Sequence, residues 1–386
     1  MKDNKLRILY IPSTIRGGVY YYRVFTPMKA LIEKYPDDFD VTIDNHWNYT
    51  DVEKDEIGKN FDVVWVHQGL FTSKFQNEFW KMIIYCKTQY HTTFILDLDD
   101  WFDYGKTHPA YQACMFNAFP DKMMLNFTLF DYVTTTTEYF KSGISKWVSS
   151  ERICVLENAI SFNDKQFSIN KNKSEKIRIG LTGGSSHTED IKTLLGFWNY
   201  LTVREKDKIE FHFCGYDNKN AEKLNIDENG KIISREKLDD KDNWWVQTEN
   251  KIKYGVGESS YKRVESKDIV KGEFGLIYND IDILLAPLKN TNFNHYKSEL
   301  KFIEAGFTNT AIIASGVVPY SNFGKDNIDC LLVKDNTPKG WAKAIKKLIN
   351  NDDLRISLAK NNMERILIDR NLEKITEKRY EFIKSI

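Results

Sequence analysis

Residues 286–315 read APLKNTNFNHYKSELKFIEAGFTNTAIIAS, and they predict a helix at 297–305 followed by a strand at 311–315. Another short apolar run, at 281–286, leads into this stretch. A strand–helix–strand unit of this kind builds a parallel sheet with helices packed on its faces. The stretch therefore predicts an α/β fold.

Two charged side chains on this predicted helix have a spacing that suits ligand binding. Lys297 and Glu304 lie about two helical turns apart, so they share one face. Lys297, near the N-terminal end, could neutralise a diphosphate. The Glu304 carboxylate could accept hydrogen bonds from the two hydroxyls of a ribose. A solvated, salt-bridged helix face has the same spacing, so both interpretations stay open on the pattern alone.

Strands and helices alternate on both sides of this unit. The first part of the chain has strand-like apolar runs at 7–11, 62–67, 93–98, 132–135 and 153–156, with helical patterns at 27–35 and 78–88. The later part has strand-like runs at 177–182, 210–214 and 331–333, with helical patterns at 191–201, 341–349 and 353–368. We predict two Rossmann-like doubly wound domains whose strand ends face a central cleft, where ligands of such folds bind.

A polar segment divides the chain. Residues 161–176, SFNDKQFSINKNKSEK, lack an apolar period, which is typical of an interdomain linker. The predicted boundaries are therefore a first domain at 1–162, a linker at 163–176, a second domain at 177–368 and a charged, amphipathic C-terminal helix within 369–386.

Two glycine loops occupy matching places in the two predicted domains. Gly17 and Gly18 follow the first strand in IPSTIRGGVYYYR, and Gly184, Ser185 and His187 follow a later strand in GLTGGSSHTED. Glycines let backbone N–H groups approach a phosphate, and a following helix N-terminus favours an anion. A tight turn, ordinary helix capping and a plain surface histidine would account for the same residues.

Four carboxylates cluster at the end of a first-domain strand. The stretch LDLDDWFDY contains Asp97, Asp99, Asp100 and Asp103. Catalytic or acceptor-binding carboxylates lie at this edge in a doubly wound fold. The spacing could also suit a metal ion, but the stretch lacks the glycine and the terminal Glu of an EF-hand loop. Turn and helix-cap roles would account for some of these residues equally well.

The composition disfavours several protein classes. The 386 residues include 55 Lys plus Arg and 55 Asp plus Glu, so no whole-molecule attraction to nucleic acid or anionic membrane is expected. The sequence has no P-loop, no complete dinucleotide fingerprint, no nucleophile elbow and no metalloprotease motif. Its five cysteines form no CxxC pair and its start lacks signal-peptide features, which predicts a cytoplasmic protein of a bacterium or a virus-infected host cell.

Several stretches, taken in order, resemble family 4 of the GT-B glycosyltransferases, the retaining glycosyl transferases of group 1. FNHYKSELKFIEAGFTNTAIIASGVVPY resembles the donor-binding segment, RILYIPSTIRGGVYYYRVFTPMKAL the N-terminal strand, loop and helix, and FILDLDDWFDY a common Asp-Asp segment. VTTTTEYFKSGI, ICVLENAISF and IRIGLTGGSSHTEDIKTL resemble later parts of the family pattern. The resemblance covers nearly the whole chain and implies transfer from a UDP- or GDP-sugar with retention, without an essential metal or cofactor.

The resemblance also implies roles for second-domain residues. Glu304 would bind the donor ribose. Lys297, with Ser185 and Ser298, would hold the diphosphate. Lys297 would also offset the charge on the leaving nucleotide diphosphate, the main electrostatic task of such a reaction.

In the first domain, the resemblance implies that Gly17 and Gly18 approach the donor phosphate and that Asp99 and Asp100 face the acceptor. The first domain would thus bind the acceptor and the second the donor, and the C-terminal helix would pack back on the first domain. Closure of the two domains would exclude water from the reaction.

Two departures from the family pattern and two alternative functions qualify the resemblance. Many family members carry a Glu eight positions before the ribose Glu, where this chain has Tyr296, and Asn309 and Thr310 replace a common Gly-Pro. A nucleotide-sugar 2-epimerase or a non-catalytic nucleotide- or sugar-binding protein would share the architecture. The acceptor would be a surface polysaccharide, a teichoic-type chain, another glycan or a modified phage DNA base, and peripheral membrane contact and the oligomeric state stay open.

Overall fold

The structure, a computed structural model, describes residues 5–68, 75–102, 104–106, 111–184, 187–215, 222–226 and 232–386. Two six-stranded parallel sheets follow one another along the chain, and helices pack against them. This is the α/β architecture that the sequence predicts.

The first sheet has the strand order β2-β1-β3-β4-β5-β6. Its strands are β1 (Leu6–Ile11), β2 (Phe39–Ile43), β3 (Val63–His67), β4 (Thr93–Asp97), β5 (Tyr132–Thr135) and β6 (Ile153–Val155). The helices of this half are α1 (Gly17–Val19), α2 (Thr26–Lys34), α3 (Asp51–Asn60), α4 (Gln76–Tyr90), α5 (Tyr111–Phe116), α6 (Phe119–Leu129) and α7 (Glu138–Ile144). A π-helical turn, Tyr20–Phe25, joins α1 to α2 and is called the π-turn below.

The second sheet has the strand order β11-β8-β7-β12-β13-β14, and an antiparallel hairpin, β9-β10, stands apart from it. The strands of this half are β7 (Ile177–Gly183), β8 (Ile209–Gly215), β9 (Glu222–Ile226), β10 (Ile232–Lys237), β11 (Tyr261–Glu265), β12 (Ile283–Ala286), β13 (Ala311–Ser315) and β14 (Leu331–Val333). The helices are α8 (Thr188–Ile191), α9 (Val203–Asp207), α10 (Trp244–Val256), α11 (Asn292–His295), α12 (Leu300–Phe307), α13 (Tyr320–Phe323), α14 (Pro338–Ile349), α15 (Asp352–Asp369) and α16 (Leu372–Lys384).

Burial on both faces explains why the central strands are almost wholly apolar. Every residue of β3, β12 and β13 is buried. Parallel strands covered by helices on both sides read as continuous apolar runs, because neither face meets water. The sequence pattern could therefore locate these strands, although it could not give their order.

The same ion pair ties the amino ends of the two sheets. In the first sheet Arg7 of β1 binds Asp62, just before β3, with Nη2 2.7 Å from Oδ1. In the second sheet Arg178 of β7 binds Asp282, just before β12, at 2.8 Å. In each pair the arginine backbone N–H also donates to the aspartate. The two halves thus repeat one scaffold.

The predicted helix at 297–305 is wrong at its start. α11 ends at His295 and α12 begins only at Leu300, so Lys297 lies in the break and does not share a helical face with Glu304. Contacts from elsewhere break the helix: Tyr296 stacks on Trp101, and the Glu299 carboxylate accepts a 2.6 Å hydrogen bond from Arg370.

The predicted helix at 191–201 is also wrong. α8 ends at Ile191, and a 3₁₀ turn, Phe197–Tyr200, follows Gly196. Gly196 has a φ of 95°, in the left-handed region that interrupts a helix.

The C-terminal helix α16 packs on the first sheet and α2. Tyr380 stacks on Tyr35 with ring centroids 4.0 Å apart, and Ile383 is buried in a core that includes Tyr10 and Trp65. Across the described part of the chain, no helix has the length and apolar character needed to cross a membrane.

Candidate active site

A buried ion pair lies at the carboxyl end of β4. Asp97, the last residue of β4, binds Arg23 of the π-turn, with Arg23 Nη2 2.6 Å from Oδ1 and Nε 3.1 Å from Oδ2. The hydroxyls of Tyr10 and Thr134 also donate to Asp97. Burial alone would raise the pKa of Asp97, but the Arg23 charge and these hydrogen bonds outweigh it and lower that pKa. Asp97 is therefore a structural anion.

A second carboxylate, Asp99, lies two residues further along and closer to solvent. His67 at the end of β3 contacts Asp99 Oδ1 through Nε2 at 2.8 Å, and Gln68 Nε2 donates to the same oxygen at 2.9 Å. The other ring nitrogen of His67, Nδ1, lies 2.7 Å from Ser13 Oγ. Burial raises the pKa of Asp99, but the attraction and hydrogen bond of His67 more than offset this and hold it well below its usual range.

The Arg23 guanidinium also connects the two halves. Its Nη1 donates to Asn158 Oδ1 at 3.1 Å, and Asn158 Nδ2 donates to Ser298 Oγ at 2.9 Å. Ser298, a predicted diphosphate ligand, is thus linked to Asp97 through Asn158 and Arg23.

Lys297 brings the predicted catalytic residues together. Its Nζ lies 3.5 Å from Asp100 Oδ1 and 4.8 Å from the ring centroid of Phe293. Asp100 follows Asp99 directly at the end of β4. Three predicted catalytic residues therefore lie at one place, where a second-half cation meets first-half carboxylates.

An aromatic clamp, formed by Trp101 of the first half and Tyr296 of the second, joins the halves at the residues next to Asp100 and Lys297 in the sequence. The two rings stack with centroids 3.9 Å apart and an interplanar angle of 10°. Tyr296 also packs edge-on against Phe140, and a Cβ added at Gly143 would lie 2.1 Å from its ring. The residue that departs from the family pattern at position 296 is thus buried in the core of the first half.

The Glu304 carboxylate is buried and accepts hydrogen bonds from three side chains. Tyr22 of the π-turn donates to Oε1 at 3.0 Å, and Tyr278 and Lys301 donate to Oε2 at 2.5 and 2.8 Å. Burial is the main cause that raises the pKa values of Tyr22 and Tyr278, and the Glu304 charge adds to it, so both phenols stay protonated donors. Glu304 has partners different from those of Lys297 and Asp100.

The glycine loops leave backbone exposed near the strand ends. Gly17 has a φ of 72°, and no described atom lies within 4 Å of a Cβ added at Gly17 or Gly184. Gly18 has a tyrosine ring 3.8 Å from such a Cβ. Gly215, at the end of β8, has a φ of 132° and would place a Cβ 2.1 Å from the Gly183 carbonyl oxygen, so only glycine fits there.

His187 stands beside the second glycine loop and is anchored by Asp190. Its Nδ1 lies 2.8 Å from Asp190 Oδ2, while Asp190 Oδ1 accepts from the Lys289 backbone and from Asn294, both at 2.8 Å. α8 is a single turn, Thr188–Ile191. The predicted ligand Ser185 lies outside the described residues, as does Asp103.

Solved structures with the same architecture cover the chain almost from end to end. Sucrose-phosphate synthase from Thermosynechococcus elongatus has a TM-score of 0.70 at 14% identity, with 99% of each chain covered. HepE from Anabaena in complex with UDP and glucose has a TM-score of 0.63 at 10% identity, covering 99% of this chain and 100% of that one. A glycosyltransferase from Rickettsia africae has a TM-score of 0.64 at 13% identity, covering 99% and 98%.

The chain has the GT-B fold. No protein-family model and no curated protein sequence matches it. Within the described ranges, no group of three or more His, Cys, Asp or Glu side chains is arranged to hold a metal ion.

Several polar residues of this candidate site are not among those that the sequence predicted. Ser13 and His67 each lie at or just beyond the end of a buried strand, so their position was a usable signal. Tyr22, Arg23 and Asn158 gave no such signal, because each acts through contacts with residues far along the chain.

Proposed function

We propose that this chain is a glycosyltransferase that moves a sugar from a nucleotide-diphosphate sugar to a hydroxyl group of an acceptor. The contact between Lys297 and Asp100 carries the proposal, because it places a cation of the second half against the carboxylates that follow β4. Ligands of doubly wound sheets bind beyond the carboxyl ends of the strands. A donor on one side and an acceptor on the other would therefore meet at this contact.

The donor would bind on the second half. Lys297 has three N–H donors, and its only ion-pair partner, among the described residues, is Asp100 at 3.5 Å, so it keeps hydrogen-bonding capacity for a diphosphate. The backbone at Gly17, Gly18 and Gly184, with Ser298, would approach the same phosphates. We take a UDP-sugar as the first donor to test, because HepE is seen with UDP and glucose.

We further propose retention and no essential metal. A base that removes the acceptor proton works best with a pKa near the operating pH. The low pKa of Asp99 makes it a weak base, which favours a scheme in which the leaving diphosphate takes that proton. Lys297 would supply the positive charge that stabilises the leaving group.

The domain division follows from the same roles. Residues 1–162 would form the acceptor-side domain, 163–176 the linker, 177–368 the donor-binding domain and 369–386 the returning C-terminal helix. The stacking of Tyr380 on Tyr35 supports the last assignment. We propose a glycan acceptor. The carboxylates beyond β4 would accept hydrogen bonds from its hydroxyl groups.

The test is a transfer assay with UDP- and GDP-sugars, each offered to glycan acceptors and to hydroxymethylated DNA. Lys297→Ala should lower turnover by about 100-fold or more, the scale expected when a group that stabilises transition-state charge is lost. The control Lys241→Ala removes a lysine that is 77% exposed and should leave turnover unchanged.

Three outcomes would contradict parts of the proposal. A product of inverted anomeric configuration would exclude retention. A 2-epimer formed without acceptor would identify an epimerase. No consumption of any nucleotide sugar by well-folded protein would exclude the transferase.

A further inference from the structure

His67 joins two polar side chains at the carboxyl end of the first sheet. Its ring is buried, and its two nitrogens contact Ser13 Oγ at 2.7 Å and Asp99 Oδ1 at 2.8 Å. Ser13 itself is exposed, and the Asp99 side chain is 12% exposed. A buried ring thus contacts one exposed side chain and one partly buried side chain.

The hydrogen positions follow from the partners. A carboxylate only accepts, so His67 Nε2 carries the hydrogen that bonds Asp99. In the neutral ring Nδ1 accepts from the Ser13 hydroxyl, and in the protonated ring Nδ1 donates to it. The contact with Ser13 is kept in both states, so the ring orientation is fixed at any ordinary pH.

The bonds of Asp99 leave one oxygen for a ligand. Oδ1 takes both protein donors, His67 and Gln68. Oδ2 has no hydrogen-bond partner among the described residues, and the next residue along the chain, Asp100, contacts Lys297. The carboxylate is held by one oxygen and offers the other.

We propose that His67 is a positioning residue that orients Asp99 and Ser13 as a two-point binding site for the acceptor sugar. Asp99 Oδ2 accepts a hydrogen bond from the acceptor hydroxyl, and Ser13 Oγ binds a second hydroxyl of the same sugar. The proposal rests on the proposed transferase function, and it narrows the acceptor to a polyhydroxylated group rather than a lone alcohol.

The same three side chains also occur, in another order of ring nitrogens, in hydrolases with a Ser–His–Asp triad. A triad would make Ser13 the nucleophile. Ser13 follows β1 in IPSTI, without the strand-to-helix elbow that presents a nucleophilic serine. The triad is therefore kept as an outcome of the test.

Two variants of His67 separate its two contacts. In His67→Gln the amide nitrogen takes the place of Nε2, so the bond to Asp99 is kept and the bond to Ser13 is lost. In His67→Asn the shorter amide reaches only the place of Nδ1, so the bond to Ser13 is kept and the bond to Asp99 is lost. Asp99→Asn and Ser13→Ala remove the two end groups.

The measurements are kcat and the acceptor KM at saturating donor, and the donor KM at saturating acceptor, for these four variants. A hydrogen bond to a charged group is worth about 1.5–3 kcal/mol, so Asp99→Asn and His67→Asn should each raise the acceptor KM about 10-fold to 100-fold. His67→Gln and Ser13→Ala should raise it less than about 10-fold, the loss of one neutral hydrogen bond. The donor KM should not change. A general structural defect would change the donor KM as well as the acceptor KM.

A second readout does not depend on turnover. Nitrogen-detected NMR of the His67 ring should show Nε2 protonated in the wild type. In the wild type, burial lowers the pKa of the His67 ring, and the charge and hydrogen bond of Asp99 raise it; Asp97 raises it less, and Arg23 lowers it. The pKa of the ring should therefore fall in Asp99→Asn.

Failure of this inference can be told from failure of the proposed function. Normal acceptor KM values in both Asp99→Asn and His67→Asn would overturn the inference while transfer itself persists. Loss of all activity in Ser13→Ala, with ester hydrolysis by the wild type, would replace it with the nucleophilic triad. Absence of any transfer by the wild type would overturn the proposed function and this site with it.

Discussion

The two halves are alike at the amino ends of their sheets and differ at the carboxyl ends. The Arg7–Asp62 and Arg178–Asp282 pairs repeat the same contact at the amino ends. At the carboxyl ends, the first half pairs its own charged groups.

Two charged side chains at the carboxyl end of the second sheet also take partners from the first half. Lys297 contacts Asp100, and Glu304 accepts from Tyr22. The Arg23–Asp97 and His67–Asp99 contacts thus lie wholly within the first half, whereas the contacts of Lys297 and Glu304 reach from the second half to the first. The difference teaches that the two halves share a scaffold but not their polar contacts at the carboxyl ends. A ligand that binds Lys297 or Glu304 must therefore compete with the first-half partner of that residue.

The largest expected effect tests the buried Arg23–Asp97 ion pair of the first half. Asp97→Asn leaves the Arg23 guanidinium buried without its anion, and breaking such a pair costs about 3–5 kcal/mol. Urea unfolding should show that loss of stability. The matched control is Asp62→Asn, because Asp62 also pairs with an arginine but is 39% exposed, and its loss should cost about 1 kcal/mol or less. Equal costs for the two variants would contradict the account.

The next effect tests the aromatic clamp between the halves. Tyr296→Ala removes a buried ring stacked on Trp101 and should cost about 3 kcal/mol. A double-mutant cycle with Trp101→Ala should give a coupling of about 0.5–1.5 kcal/mol. Tyr254→Ala, at a side chain 72% exposed, should stay within about 0.5 kcal/mol of the wild type. Strictly additive losses at positions 101 and 296 would show that the stack does not join the halves.

A smaller effect tests whether the ribose exchanges with Tyr22. Tyr22→Phe removes the 3.0 Å hydrogen bond to Glu304, so a nucleotide no longer has to displace it. We expect nucleotide binding to tighten by about fivefold to tenfold, less than the full value of a hydrogen bond to a charged group. Tyr21→Phe is the control, because Tyr21 lies in the same core without donating to Glu304. Weaker binding in Tyr22→Phe would make Tyr22 part of the donor site instead.

The smallest effect is the pH dependence of the stability that His67 contributes. Burial lowers the pKa of His67, but the charge and hydrogen bond of Asp99 raise it above its ordinary value. The stability that His67 adds is therefore complete below about pH 6.5 and is lost as the pH rises through the folded-state pKa. The stability difference between wild type and His67→Gln should thus shrink from pH 6 to pH 9 in urea titrations.

Two comparisons sharpen that result. His46→Gln, at a side chain 83% exposed, should change stability little at any pH. A wild-type minus His67→Gln difference that does not vary with pH would contradict the assignment. On the acid side, the lowered pKa values of Asp97 and Asp99 predict a loss of stability as the pH falls below about 3.9.

The sequence predicted strands such as β3 and β13, because burial on both faces makes them continuous apolar runs. It missed the edge strands β2 and β11, whose residues are mostly partly buried or exposed. It failed where distant contacts decide local structure. The break before α12 depends on Trp101 and Arg370, which lie far from it along the chain. Likewise, the spacing of Lys297 and Glu304 predicted one helical face, whereas the structure gives them separate partners.

The candidate site could be predicted in part for the same reason. Asp99, Asp100 and Lys297 lie next to recognisable strands or in the quoted donor segment, so position alone indicated them. Ser13 and His67 also lie at strand ends, and a search for polar residues there would have found them. The first-half partner of Glu304 could not be found, because Tyr22 reaches it only through packing between the halves.

The central claim is that the second half binds a nucleotide diphosphate with Lys297 at its phosphates. Calorimetric titration with UDP, GDP and their sugar conjugates tests it most directly, in wild type, Lys297→Ala, Glu304→Ala and the control Lys241→Ala. The account predicts that one nucleotide binds the wild type and Lys241→Ala alike and that its binding is weakened in the other two. Equal binding by Lys297→Ala and the wild type, or no binding of any nucleotide by folded protein, would contradict it.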